Sequence, residues 1–217
     1  MKIVSLILAR GGSKGIPGKN IIDLNGFPLL SYTIKASQKS AVEETWVSTD
    51  CNNIKNIAES LGANIIDRPT ELAQDNSQSE EALLHFAEHT DFDILVFIQP
   101  TSPLLQSKYI DQGIDLLLND NQFDSVCTVY KEHWLPRWDQ SGHPIGWNVN
   151  KRPRRQDKSE LYVENGAFYI TTKEALLNSK LRYSGCIGVI EMPFYRSLQI
   201  DTYDDLKIIE SLIKNGR

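Results

Sequence analysis

Three cations, Arg10, Lys14 and Lys19, share the stretch "LILARGGSKGIPGKN" (Leu6 to Asn20) with Gly11, Gly12, Gly15 and Gly18. No acidic residue precedes Asp23, although the chain of 217 residues has a formal net charge of −5. Glycines let a loop turn its backbone N–H groups toward an anion. An arginine fork grips two anionic oxygens at once, and lysines add point charges. The chemistry implied is binding of a polyphosphate. The acidic total argues against general affinity for nucleic acid or an anionic membrane, so the anion site must be a local cluster.

Two familiar phosphate loops do not fit. The P-loop spacing G-x-x-x-x-G-K-[ST] fails because Gly18 and Lys19 are followed by Asn20, and Ser13 stands at the first position. No register from Gly11 to Gly18 supplies the three glycines of G-x-G-x-x-G. What remains is a basic glycine loop leaving the end of an apolar run. That is where ligands bind in open α/β sheets, outside the carboxyl ends of strands.

The elements that must position this loop alternate. Residues 2 to 8 read as a strand buried on both faces. "PLLSYTIKASQK" reads as a helix opened by Pro28, and "TWVSTD" as a strand ending at Asp50. "NNIKNIAESLG" reads as a helix capped by Asn52, with Gly62 just past its end. "NIIDRP" is a short strand, and "SQSEEALLHFAEHT" a helix with Ser77 and Glu80 as a capping box. "DILVFIQPTSP" is the strongest strand signal, followed by a helix near Ser107 to Leu118. "SVCTVY", "ENGAFYIT" and "IGVIEM" are strands, and "TYDDLKIIESLIKN" closes the chain as a helix capped by Thr202. Strand–helix alternation predicts an α/β fold, a three-layer α/β/α sandwich with a mostly parallel, Rossmann-like sheet. Residues 131 to 158, rich in Pro, Trp and charge, break the pattern and read as an irregular functional excursion.

The remaining features exclude more than they suggest. Cys51, Cys127 and Cys186 are widely separated, odd in number and without metal-ligand spacing, which points to reduced thiols. No apolar run approaches the ~18 residues that span a bilayer. "MKIVSLILA" meets cations and glycines where a signal peptide would have its cleavage site, so a cytoplasmic protein is expected. His85 and His89 lack the glutamate placement of H-E-x-x-H. "KRPRRQDK", Lys151 to Lys158, is a basic block that ordinarily faces solvent.

The loop and its continuation, "LARGGSKGIPGKNIIDLNGFPLLSYTI", resemble the signature of the acylneuraminate cytidylyltransferases, the CMP-sialic acid synthetases. The resemblance continues through "VSTD", "DRPTELAQDNSQSEEAL", "FIQPTSPL", "RQ" (Arg155, Gln156), "ENGAFYI" and "IDTYDDL", in family order. It implies one cytidylyltransferase domain over residues 1 to 217, with the nucleotide-diphospho-sugar transferase type of fold. A small dimerisation or sugar-site segment is expected near residues 171 to 190. The implied reaction joins CTP to a nine-carbon 2-keto sugar acid with Mg²⁺ or Mn²⁺, releasing pyrophosphate, in a homodimer. N-acetylneuraminate or a relative such as legionaminic acid is the expected acceptor. The alternatives are Kdo, pseudaminic acid, or a non-catalytic nucleotide sensor on the same fold.

Residue roles follow from the same resemblance. Leu8, Ala9 and Gly11 should belong to the nucleotide site, and Arg10, Ser13, Lys14 and Lys19 should hold the triphosphate, with Lys14 nearest the leaving pyrophosphate. Asn20 and Arg68 should meet the nucleoside, and Ser79 and Gln99 the boundary between nucleotide and sugar. Arg155 is the expected partner of the sugar carboxylate, beside Gln156, and Tyr169 should line the same pocket. Arg10, Lys14, Lys19 and Asp201 are the expected catalytic residues, and Asp201 the metal ligand. One departure stands out. The family commonly presents D-x-D-T before the last helix, and here Gln199 replaces the first aspartate, which puts a two-metal arrangement in doubt.

Overall fold

A computed structural model describes residues 1–120, 122–154, 156 and 160–216. The main sheet comprises β1 (Ile3–Leu8), β2 (Glu44–Thr49), β3 (Asn64–Asp67), β4 (Ile94–Ile98), β5 (Ser125–Lys131), β6 (Tyr162–Thr172) and β7 (Ile187–Glu191). Their order across the sheet is β7-β5-β6-β4-β1-β2-β3. Every neighbouring pair is parallel except the two made by β6, which runs against β4 and β5. The expectation of a mostly parallel sheet holds, and β6 is the one reversed strand.

The sheet is covered on both faces because its central strands β1 and β4 are apolar at every position but Ser5, which is itself buried and hydrogen-bonded to Ser37 at 2.6 Å. Side chains alternate along a strand, so Val4 and Leu6 face one layer while Ile7 faces the other. "ILVFI" splits likewise: Leu95 and Phe97 point to one side, and Ile94, Val96 and Ile98 to the other. The helices α1 (Leu29–Gln38), α2 (Asn52–Ser60) and α4 (Ser107–Asn119) cover the Ile7 face. On the Leu6 face lie α3 (Ser79–His89) and α5 (Lys173–Ser179). A third apolar cluster joins Ile16 and Leu24 to Ile209 of α6 (Tyr203–Lys214). That cluster sits beneath the glycine loop.

Two helix starts differ by one residue from expectation. Cys51, extended at φ −120°, takes the cap position of α2, and Asn52 is already helical. The strand before it ends at Thr49, whose hydroxyl accepts the Cys51 N–H at 3.1 Å. At α3 the backbone N–H of Gln78 donates to Glu81 at 3.0 Å, so Gln78 and Glu81 occupy the places expected for Ser77 and Glu80. Glu80 is engaged elsewhere: Arg182 donates to it twice, at 2.6 and 3.0 Å. Thr202 caps α6 as expected, accepting from the Asp205 N–H at 3.2 Å. Among the described residues of the excursion, Arg137–Trp138 and Pro144–Ile145 form a short antiparallel ladder, with Trp147 edge-on to both Trp134 and Trp138. The segment 171–190 holds α5 and most of the edge strand β7.

The chain runs from β1 outward to β2 and β3, then returns to place β4 on the other side of β1. The connections therefore diverge between β1 and β4, and a crevice opens at their carboxyl ends.

Candidate functional site

The glycine loop enters that crevice and is fixed at several points. Its Ala9 N–H donates to Ser48 at 3.0 Å, and the Gly11 N–H donates to Asp50 Oδ1 at 2.8 Å. One of the N–H groups expected to face an anion is thus committed to a carboxylate of the neighbouring strand end. A Cβ on Gly11 would lie 2.9 Å from Cys51, and one on Gly15 would lie 2.7 Å from the Asp201 carbonyl oxygen. Ile16 is fully buried and anchors the far side of the loop in the third apolar cluster. Asn20, also buried, donates to the Arg10 carbonyl at 2.9 Å and ties the two ends of the loop together.

All three cations of the loop hold carboxylates. Arg10 and Lys14 both reach Asp75, each at 3.0 Å, and Arg10 also donates to the Ala73 carbonyl at 3.1 Å. Lys19 meets Asp201 Oδ1 at 2.8 Å. The Asp75 carboxyl is held below its ordinary range, chiefly by the hydrogen bond from Lys14 and then by Arg10, so it is ionised at neutral pH. A phosphate drawn to Arg10 and Lys14 must displace Asp75. The exchange is easy because Lys14 is 75% and Asp75 51% exposed, where solvent screens the pair.

Between β1 and β4 these groups enclose a cleft of about 220 Å³. Leu8, Arg10, Ser13, Lys14, Lys19, Asn20, Ser79 and Gln99 all line it, joined by Phe97 and Thr101. Its volume is below the roughly 300–1,000 Å³ of a site that swallows a whole small molecule. A nucleotide must extend beyond it or part Asp75 from the loop. A larger hollow of about 750 Å³ lies at the amino ends of the parallel strands, against Phe92, Leu117 and Leu177. Chemistry marks the smaller one: the basic loop and the strand ends converge there.

Other expected site residues stand behind the cleft or away from it. Ala9 is buried and contributes backbone only. Arg68 is buried, donating to Ser48 Oγ at 3.0 Å and to the Ser48 carbonyl at 2.7 Å. Burial lowers its pKa to about 10, with Asp50 opposing the shift and Arg10 adding to it, so it remains a cation at neutral pH. It braces the β2 end rather than lining the cleft. Tyr169 is buried too, stacked on Phe97 at 5.6 Å between centroids, with its hydroxyl on Glu164. Burial, then Glu164, raises its phenol pKa. It therefore supports the cleft wall through Phe97. Gln156 is exposed, and Arg155 lies outside the described residues.

Asp201 sits at the start of α6, where Asp205 accepts its backbone N–H at 3.1 Å. Among the described residues no group of three or more His, Cys, Asp or Glu could hold a metal ion. Asp201 offers one carboxylate, which suits a single hard cation held mainly through ligand oxygens and water. Gln199 does not complete a second site. Its amide nitrogen donates to the Asn165 carbonyl and, at 3.3 Å, to Gln99.

Sequence reasoning assigned no role to Asp75, Asp50, Ile16 or the Arg182–Glu80 pair. Asp50 carried a signal, an acid at the carboxyl end of a strand. Asp75 and Arg182 reach their partners only through tertiary folding.

Residues 4–214 match the family model described as Cytidylyltransferase. N-acylneuraminate cytidylyltransferase B of Danio rerio is 38% identical over 218 residues, covering 96% of this chain and 51% of that protein. The N-acylneuraminate cytidylyltransferase of Streptococcus agalactiae serotype V is 32% identical over 214 residues, covering 94% and 52%. The chain spans about half the length of these relatives. Among solved structures, a CMP:2-keto-3-deoxy-manno-octonic acid synthetase complexed with CTP superposes with a TM-score of 0.78 over 100% of both chains, at 17% identity. A cytidylyltransferase from Leptospira borgpetersenii superposes with a TM-score of 0.60, at 21% identity, covering 100% of this chain and 95% of that one. These two likenesses bear on the fold.

Proposed function

Since this chain belongs to the cytidylyltransferase family, we propose that it transfers CMP from CTP to the anomeric hydroxyl of a nine-carbon 2-keto sugar acid. The anomeric oxygen forms a bond to the α-phosphorus, the bond from that phosphorus to the β-phosphate oxygen breaks, and pyrophosphate leaves as the hydroxyl loses its proton. What carries this reading is the convergence of Arg10, Ser13, Lys14 and Lys19 with Gln99 on one cleft at the β1–β4 divergence. The relatives named N-acylneuraminate cytidylyltransferase support the nine-carbon acid.

Each group acts through charge and position. Arg10 and Lys14 exchange Asp75 for phosphate oxygens and neutralise the charge that gathers on the leaving pyrophosphate. Lys19 carries its charge at the other side of the cleft, beside Asp201. Gln99, at the end of β4, orients the acceptor so that its hydroxyl lies in line with the α-phosphate. Arg68 keeps the β2 end rigid beside the nucleoside. Arg155 is our candidate for the sugar carboxylate on the strength of its place before "ENGAFYI". A Mg²⁺ ion, which when bound would neutralise phosphate charge, would be held by Asp201.

Leu135, Trp138, Ile145 and Val149 present exposed apolar surface in the 131–158 excursion, which supports assembly as a homodimer. No helix among the described residues is long and apolar enough to cross a membrane, and we place the reaction in the cytoplasm.

The assay is direct. Purified protein with CTP and Mg²⁺ should release pyrophosphate with N-acetylneuraminate or legionaminate. Release with Kdo alone would move the substrate to the eight-carbon acids, and tight CTP binding without release for any acid would make the chain a sensor. Asp75→Asn tests the counter-ion exchange: KM for CTP should fall about two- to fivefold, because a weak, screened competitor is removed. An unchanged or higher KM would mean that Asp75 does not compete.

A further inference from the structure

Gln199 stands where the family commonly has an aspartate, and its contacts give it a different task. Its side chain meets three groups, and the chemistry of each fixes which amide atom faces it. The Asn165 carbonyl can only accept, so it must face the Gln199 nitrogen, as it does. The Gln199 oxygen then faces Thr101, whose hydroxyl donates to it over a long 3.4 Å. The second N–H of Gln199 points at Gln99, 3.3 Å away, and only the Gln99 oxygen can accept there. With its oxygen engaged, Gln99 must turn its own N–H₂ the other way. Gln99 lines the cleft, and its nitrogen has no partner among the described residues.

The backbone holds this chain of amides in place. Gly166 has φ +68°, and a Cβ there would sit 2.8 Å from the Gln199 nitrogen and 3.2 Å from the Gln99 oxygen. Gln99 is tied by its own N–H to the Ala167 carbonyl at 3.1 Å. Its neighbour in the chain of amides is set by Ile200, whose N–H donates to the Thr101 carbonyl at 2.9 Å. Both glutamines are therefore placed by fixed backbone on either side of a bulge in β6.

We infer that Gln199 is a positioning residue that fixes the Gln99 amide with its N–H₂ toward the cleft, so that Gln99 recognises an acceptor oxygen of the sugar acid. An aspartate at 199 would carry two acceptors and no donor. It would leave the Asn165 carbonyl facing a carboxylate and would pull the Gln99 N–H₂ away from the substrate. The inference rests on the transferase reading above for the identity of the ligand, but the amide orientation belongs to the chain alone.

Two experiments separate these parts. In ¹⁵N-labelled protein without ligands, the Gln199 side-chain amide, identified by its loss in Gln199→Met, should exchange with solvent much more slowly than surface glutamines. Exchange at the surface rate would overturn the inference, whatever the enzyme's activity. In steady-state kinetics, Gln199→Met and Gln99→Met should each raise KM for the sugar acid about tenfold or more, with KM for CTP little changed. The double variant should be no worse than Gln99→Met alone, because Gln199 acts through Gln99. Additive effects, or an equal rise in both KM values, would overturn the positioning role. Absence of turnover with every acid, alongside slow Gln199 exchange, would remove the transferase reading and leave the fixed amide standing.

Discussion

Lys14→Ala is expected to lower kcat about 10²-fold or more, the usual scale for losing one group that stabilises charge in the transition state. Lys14 is the most exposed of the loop cations, and its contact in the ligand-free chain is the screened pair with Asp75. Removing it should leave the melting temperature nearly unchanged, since an exposed ion pair contributes little to stability. KM for CTP should change less than kcat, because Arg10 and Lys19 remain to hold the ground-state phosphates. Full turnover in the variant would take Lys14 out of the mechanism and leave its charge a matter of the loop's solvation.

Gly15→Ala is expected to be nearly as damaging, though it removes no charge. A Cβ at this position would stand 2.7 Å from the Asp201 carbonyl oxygen, so one of the two backbones must move. Neither moves freely. The next residue, Ile16, is fully buried, and on the other side Ile200 is also fully buried. The displacement falls on the groups between, Lys14 and Lys19 on the loop and Asp201 opposite. Misplacement of about 1 Å at such a site costs on the order of 10²-fold in rate. Gly12→Ala is the control. It has open space around its Cβ position, and activity and stability should stay near wild type. Wild-type kcat/KM in Gly15→Ala would show that the contact with Asp201 does not set the loop's position.

Much of the scaffold was legible because its signals are local. "ILVFI" could be read as a strand covered on both faces without knowing which helices cover it, since every position is apolar. Thr202 could be read as a cap because its partner, Asp205, is three residues on. The basic glycine loop was legible for the same reason: cations and glycines together tell of an anion wherever the loop is carried. The misplaced starts of α2 and α3 mark the limit of such reading. Glu80 looks like a capping residue in its own neighbourhood, but Arg182, 102 positions away, takes its carboxylate.

The sequence by itself determined the order of strands and helices and the charge of the opening loop. Those follow from side-chain periodicity and from residue types a few positions apart. Only the tertiary structure decided what the loop touches: Asp75 against Arg10 and Lys14, Asp201 against Lys19 and Gly15, Gln199 against Gln99. Lys19 and Asp201 are 182 positions apart, and Gln99 and Gln199 are 100 apart. No propensity or spacing encodes such pairs, because they arise where the sheet brings separate strand ends together, and a carboxylate or amide in a loop looks alike whether it meets solvent or a partner.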